Sequence, residues 1–147
     1  MDFGVHLPLA DLGQGLLGGR DLRVYTATAA ELGFDMASAN DHPAWRRPWL
    51  DGLTTLASIV GSAGRMKLAT TVALPAVRHP VVLAKAIASL GVLSECQVIA
   101  GLGPGSSAAD YEAVGLPFAQ RWARFDECLR LVRALVRGEA PDDGQYY

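Results

Sequence analysis

The hydrophobic and β-branched residues of this chain are concentrated in four short segments with nearly regular spacing. Counting between Phe3, Phe34, Leu68 and Val98 gives steps of 31, 34 and 30 residues. Each segment reads as an almost continuous apolar run, which is typical of strands in a parallel sheet whose two faces are both covered. The four predicted strands are FGVHL, FDMASA, KLATTVAL and QVIAGLG.

Helical patterns lie between these strands and after the last one. Each carries a start or stop signal, either a glycine just past the last turn or a proline in the first turn. Strands and helices that alternate at a period of about 30 residues predict βαβ units, and therefore an α/β fold with a parallel sheet. The predicted helices cover residues 20–32, 49–63, 80–93 and 118–137.

The last predicted helix has an apolar stripe that we expect to face the core. Its members follow one another at steps of 3, 4, 3 and 4 residues, which places them on one helix face. The arginines of this helix lie mostly off the stripe beside Asp126 and Glu127, and they predict a solvated face. The stripe consists of Trp122, Phe125, Leu129, Val132 and Val136.

Composition is that of a globular protein and argues against two kinds of partner. Of the 147 residues, 50% are hydrophobic and 19% are charged, so we expect one domain with a buried core. The formal net charge of −2 and the pI of about 5.9 give no electrostatic reason to bind nucleic acid or an anionic membrane. We therefore expect no nucleic-acid partner and no membrane partner.

Cysteine usage and the N-terminal residues predict a cytoplasmic protein. Cys96 and Cys128 lie 32 residues apart, with no second Cys or His at metal-ligand spacing. They predict ordinary thiols of a reducing compartment, with no zinc site and no disulfide. The stretch MDFGVHLPLADLG lacks the basic and apolar regions of a secretory signal, and PVVLAKAIASLGVL is too short to span a bilayer.

The pair Asp41-His42 is the first candidate for chemistry because it follows the second predicted strand. Ligands of parallel α/β sheets bind at the carboxyl ends of the strands. There an acid and an imidazole can hold a planar polar ring and exchange a proton near neutral pH. The alternative is an Asx-type turn before Pro43, with the imidazole only capping it. Trp45 would add an aromatic wall or simply pack.

The glycine-rich stretch GLGPGSS, after the fourth strand, is the second candidate. Gly101, Gly103 and Gly105 would let the backbone approach a ligand closely, and a short helix is predicted at 108–111. An anion site is one interpretation and a plain tight turn is the other. The stretch is neither the dinucleotide fingerprint nor a P-loop, because its glycine spacing differs and no Gly-Lys-Ser/Thr follows.

Taken together, these segments resemble the luciferase-like monooxygenase family of flavin and deazaflavin enzymes. Within the family the chain is most similar to the branch that uses coenzyme F420, an 8-hydroxy-5-deazaflavin, whose members carry an Asp-His pair after the second strand. FMN-using members are the alternative. The matching stretches, in the family's order, are FGVHLP, AAELGFDMASANDH, RMKLATTVALPAVRHPVVLAKAIASLGVLS, VIAGLGPGSSAADYEAVGLPF and RWARFDECLRLVRAL.

The resemblance implies a fold and an activity. The fold would be a TIM barrel of which this chain holds about four of eight parallel (β/α) units, so residues 1–147 would be the N-terminal part of one domain. The activity would be hydride transfer between the cofactor and a small-molecule substrate. The alternative is a non-catalytic half-barrel that forms a homo-oligomer through its exposed sheet edges.

The resemblance also implies roles for individual residues. His42 would donate or accept a proton beside the reacting carbon, and Trp45 would wall the substrate pocket. The bond between Thr71 and Val72 would be a non-proline cis peptide beneath the ring. The implied cofactor-binding residues are Asp41, Thr71, Val72, Gly103, Gly105 and Ser106, and no metal ligand is implied.

Two departures from the family pattern matter. Residues 94–97 read SECQ where many members have Ser-Gly-Gly-Arg. If a replaced glycine needs a positive φ, the substitution costs about 1 kcal/mol. Ser106 stands where some deazaflavin dehydrogenases have a carboxylic acid, so we do not carry over a sugar-phosphate substrate.

Overall fold

A parallel sheet forms the centre of the molecule. The structure, a computed structural model, describes residues 1–11, 13, 15–95, 97–141 and 143–147. In this part of the chain four strands lie in the order β1-β2-β3-β4, and all three neighbouring pairs are parallel. This arrangement confirms the predicted α/β class. The strands are β1 (Gly4–His6), β2 (Met36–Ala39), β3 (Lys67–Ala73) and β4 (Val98–Leu102).

Helices follow each strand, and two of them differ in extent from the prediction. The helix predicted from residue 49 begins at Gly52, because the Asp51 side chain caps it by accepting from the Thr54 N–H at 2.7 Å. The helix predicted from residue 118 starts with a 3₁₀ turn. Among the described residues no helix is long and apolar enough to cross a bilayer. The helices are α1 (Gly19–Glu31), α2 (Gly52–Ser58), α3 (Pro75–Arg78), α4 (Pro80–Ser94), α5 (Ala108–Glu112) and α6 (Arg121–Val136).

The largest apolar cluster joins the sheet to the helices. Leu22 of α1, Leu56 of α2, Leu68 of β3 and Leu90 of α4 are all buried in it. Burying a leucine side chain contributes about 1.5 to 3 kcal/mol. Because this cluster fixes the strands against their helices, the loops at the carboxyl edge of the sheet start from well-defined positions.

The predicted core stripe of the last helix is wrong. Trp122 is 58% exposed and Val136 is 47% exposed, whereas the buried face of α6 includes Glu127, Cys128 and Leu131. That face packs against α3 and α4. The apolar spacing selected a neighbouring face because the correct one contains an acid, which sequence reasoning assigned to solvent.

Glu127 is buried because it binds the last residues of the chain. Its carboxylate accepts hydrogen bonds from the N–H groups of Gln145 at 2.8 Å, Tyr146 at 3.0 Å and Tyr147 at 2.8 Å. A Cβ at Gly144 would lie 2.2 Å from the Glu127 Oε1 atom, so only glycine fits there. Burial acts to raise the pKa of Glu127, but the three backbone donors outweigh it and hold the pKa below its ordinary value.

Acid is therefore expected to release residues 145–147 from α6. Because the folded pKa of Glu127 is depressed, its stabilisation is fully present above the unfolded carboxyl value of about 4.3. It is lost as the pH falls through the folded value. Near-UV circular dichroism between pH 6 and pH 2 should follow the two tyrosines. Glu127→Gln should abolish this transition and the exposed control Glu112→Gln should keep it; an unchanged transition in Glu127→Gln would contradict the assignment.

The turn between α4 and β4 contains a left-handed residue, as the replaced glycines suggested. Glu95 has φ 50° and ψ 13°, a conformation that glycine adopts without steric cost. We expect Glu95→Gly to raise the free energy of unfolding by about 1 kcal/mol, measured by urea denaturation. Glu95→Ala keeps the steric cost and should give no gain, and equal effects of the two variants would refute the explanation.

Cys128 is a buried free thiol. Burial raises the pKa of its thiol to about 11, so little thiolate forms at neutral pH and the side chain behaves as a small apolar residue. This agrees with the prediction of an ordinary thiol. The same prediction for Cys96 lies outside the described residues.

Candidate functional site

The carboxyl edge of the sheet brings together the residues that the sequence singled out. Asp41 and His42 follow β2, and Thr71 and Val72 lie in the last part of β3. Gly103 follows β4 directly. Because the strands are parallel, these positions share one edge, the edge at which parallel sheets bind ligands.

The peptide bond between Thr71 and Val72 is cis, as the resemblance implied. The pairing of β3 with β4 shifts register between Thr70 and Ala73, so the strand bulges at this bond. The Val72 side chain is 38% exposed there. The cis bond is thus confirmed, and the contact of Thr71 and Val72 with a cofactor ring stays a prediction.

His42 lies among one carboxylate and two indoles. Its Nδ1 atom is 3.2 Å from Asp110 Oδ2. Its ring centroid is 4.5 Å from that of Trp45 and 5.0 Å from that of Trp49, which meets it edge-on. Trp45 is half exposed and so can form the wall of an open pocket, as predicted. The surroundings hold the imidazole in one place while leaving part of it accessible.

Asp110 is the main site residue that sequence reasoning missed. It belongs to α5, is 1% exposed, and accepts a second hydrogen bond from the Ala44 N–H at 2.8 Å. In the sequence it is one acid in a short polar helix, and nothing in its spacing indicates burial. Its partners lie more than 60 residues earlier, so only the fold reveals them.

Asp41 is buried and bound by Arg78. The guanidinium donates from Nη2 to Oδ1 at 2.7 Å and from Nε to Oδ2, and the Leu74 N–H donates to Oδ2 at 3.3 Å. Arg78 also pairs with Asp51. Burial acts to lower the pKa of Arg78, but the two carboxylates outweigh it and raise the pKa above its ordinary value. The observed role of Asp41 is to tie the His42 loop to α3, and its predicted contact with the cofactor stays a prediction.

The glycines of β4 make a close approach to β3. A Cβ at Gly101 would lie 2.2 Å from the Thr70 carbonyl oxygen, and one at Gly103 would lie 2.7 Å from Val72 Cγ2. Their lack of a side chain is therefore explained by packing against the bulged strand. The prediction that Gly103 flanks a cofactor is compatible with this packing and stays a prediction.

Gly105 and Ser106 lead from β4 into α5. Gly105 has φ 77°, which a non-glycine residue rarely adopts. This is the tight-turn interpretation of GLGPGSS. Ser106 is exposed at the edge of the sheet, where it is accessible to a ligand, and its predicted contact with the cofactor is likewise untested.

Cavities lie on both sides of the His42 loop. One, of about 250 Å³, is lined by residues that include Asp41, His42 and Arg78. The other, of about 550 Å³, is lined by residues that include Trp45 and Arg46. Trp49 borders the first cavity, and its buried Nε1–H has no hydrogen-bond partner among the residues described. The loop thus separates two spaces, each with polar groups on its wall.

These features define a class of protein. Parallel β/α units, a cis-peptide bulge and an aromatic-flanked imidazole at the carboxyl edge are the components of a barrel-type binding site for a planar ring with proton exchange at the imidazole. A profile described as luciferase-like monooxygenase matches residues 1–147. The chain belongs to the luciferase-like monooxygenase family.

Individual relatives agree with this membership. An F420-dependent glucose-6-phosphate dehydrogenase from Beutenbergia cavernae is 38% identical over 140 residues, which cover 87% of this chain and 40% of the relative. A solved monooxygenase from Streptomyces bottropensis is 27% identical with a TM-score of 0.78, over 92% of this chain and 43% of its own. The chain spans about 40% of the length of the curated relatives it matches.

A third comparison supports the fold alone. An F420-dependent secondary alcohol dehydrogenase, solved with an F420-acetone adduct, has a TM-score of 0.82 at 18% identity, over 99% of this chain and 46% of its own. The expected fold class, parallel (β/α) units of a TIM barrel with about four of eight present, is confirmed.

Proposed function

We propose that this chain contributes part of the active site of an oxidoreductase that transfers hydride between coenzyme F420 and a small organic substrate. The observation that carries the proposal is the placement of His42 beside Asp110, Trp45 and the cis peptide at the carboxyl edge. The naming of a 38% identical relative as F420-dependent supports the choice of cofactor. FMN is the alternative cofactor, because the same residues would accommodate a flavin ring.

The residues present fit a planar deazaflavin. The bulge at Thr71 and Val72 offers an apolar surface, and the missing side chain of Gly103 keeps that surface close to β4. With Asp41, Gly105 and Ser106, these are the residues proposed to hold the ring. When bound, the deazaflavin supplies a carbon that accepts or releases hydride.

His42 is proposed to hold the proton that the reaction moves. Its imidazole can exchange a proton near neutral pH. Trp45 packs on the ring and forms one wall of the proposed substrate pocket, where it excludes water. We leave the substrate at the level of a small organic molecule, because Ser106 replaces the acid that some deazaflavin dehydrogenases carry. On the cysteine pattern we place the protein in the cytoplasm.

We further propose that residues 1–147 are the N-terminal part of one luciferase-like TIM-barrel domain. Four strands are half of the eight in such a barrel, and the curated relatives are more than twice as long as the matched region. In the described sheet β1 and β4 are the end strands, and Phe3 and Ile99 at these strands are exposed.

These exposed edges favour a second candidate function, a non-catalytic half-barrel that dimerises. An apolar end strand is a template for pairing, and two copies could close one barrel through their edges. Size-exclusion chromatography with light scattering discriminates the candidates. A dimer that binds neither cofactor would support the half-barrel, whereas cofactor binding would support the oxidoreductase.

Titration with the two cofactors tests the leading proposal. We expect the fluorescence of coenzyme F420 to change on addition of the protein, with FMN binding more weakly. Trp45→Ala should weaken binding at least about tenfold through loss of the aromatic contact, and the exposed Trp122→Ala on α6 should not. If neither cofactor binds, or if both variants bind as wild type does, the proposed site is wrong.

A further inference from the structure

We propose that Asp110 is a positioning residue for His42 that fixes the proton on Nδ1 and leaves Nε2 as the nitrogen that exchanges a proton in the site. The role in catalysis rests on the proposed function, whereas the assignment of the proton rests on geometry alone. No residue of α5 was expected to act in the site.

The first step concerns the carboxylate. An ionised aspartate only accepts hydrogen bonds, so His42 Nδ1, 3.2 Å from Oδ2, must carry a hydrogen to make a favourable contact. The opposite tautomer would set the nitrogen lone pair against a negative oxygen. The hydrogen bond of one ring nitrogen determines which nitrogen is protonated.

The second step concerns the rigidity of Asp110. Its other oxygen accepts from the Ala44 N–H at 2.8 Å, two residues beyond His42. One buried side chain therefore fixes the imidazole and the backbone of the same loop. Because the carboxylate is 1% exposed, water does not compete for these bonds, and its orientation is set by its protein partners.

The third step concerns the ring itself. Trp45 and Trp49 pack against the imidazole and restrict its rotation, so a swap of the two nitrogens would disturb both contacts. Within the part of the chain that the structure describes, Nε2 has no hydrogen-bond partner. The loop after β2 and the helix after β4 thus combine to present one nitrogen for proton exchange.

The test is the tautomer of His42, read from the ring ¹⁵N chemical shifts at a pH where the imidazole is neutral. Wild type should show hydrogen on Nδ1. Asp110→Asn should reverse it. The Asn oxygen must still accept from Ala44, so its NH₂ group faces Nδ1 and donates to it, which moves the ring hydrogen to Nε2. The exposed Asp126→Asn should leave the wild-type tautomer unchanged.

Hydrogen on Nε2 in wild type would overturn the proposal, and so would an unchanged tautomer in folded Asp110→Asn. If that variant does not fold, the wild-type spectrum alone decides. The signals are assigned by comparison with His6→Gln and His79→Gln.

A kinetic measurement then separates this inference from the proposed function. In protein that reduces coenzyme F420, Asp110→Asn should lower the rate of reduction at least about tenfold while cofactor affinity changes less than twofold. The expected tautomer without cofactor binding would leave the positioning role intact and refute the proposed function. Unchanged kinetics despite a reversed tautomer would refute the catalytic importance of Asp110.

Discussion

Replacing Arg78 with alanine is expected to lower the free energy of unfolding by about 3 to 5 kcal/mol. The guanidinium makes two hydrogen bonds to Asp41, whose side chain is 5% exposed. Removing it leaves a buried carboxylate with only the Leu74 N–H as a donor. Breaking one side of a buried ion pair costs this much because the remaining charge stays desolvated.

The experiment is urea denaturation of Arg78→Ala beside two companions. Arg65→Ala removes an exposed arginine and should change stability by less than about 0.5 kcal/mol. The double variant Asp41→Asn with Arg78→Ala should recover part of the loss, because an amide replaces the unpaired charge. If Arg78→Ala matches Arg65→Ala, Arg78 does not hold the His42 loop as we describe.

Gly101→Ala is expected to destabilise the protein by about 3 kcal/mol, at the upper end for overpacking. The added Cβ would lie 2.2 Å from the Thr70 carbonyl oxygen. That oxygen belongs to the backbone of β3 and cannot rotate away. The Thr70 hydroxyl also donates to the Gly101 carbonyl at 2.7 Å, so separating the strands would lengthen this bond as well.

Gly91→Ala is the matched control. Gly91 lies inside α4, and nothing comes within 4 Å of a Cβ built there. Alanine is favoured over glycine in a helix interior by about 1 kcal/mol, so this variant should be more stable than wild type. Equal stability of Gly101→Ala and Gly91→Ala in thermal or urea unfolding would show that β4 does not approach β3 this closely.

The elements of the fold could be predicted because their signals are local. Apolar runs at a period of about 30 residues, Pro80 at the start of α4, and Gly33 and Gly64 after the ends of their helices are all readable from adjacent residues. The position of His42 at the carboxyl edge follows from the same information, since it comes directly after a strand.

The contacts that complete the site could not be predicted in the same way. Asp110 reaches His42 and Arg78 reaches Asp41 across separations of 68 and 37 residues, and no short pattern encodes such pairs. Glu127 shows the converse error, because an acid on a helix is normally solvated. Here backbone donors from the end of the chain bind it. Buried polar residues were missed where their partners are distant in sequence.

The central claim is that the carboxyl edge around His42 binds the cofactor ring. Titrating ¹⁵N-labelled protein with coenzyme F420 and following the backbone amide signals tests it most directly. We expect the largest shifts at residues 41–45, 71–72 and 103–106, at the carboxyl ends of β2, β3 and β4. Shifts confined to the amino ends of the strands, or none at saturating cofactor, would contradict it.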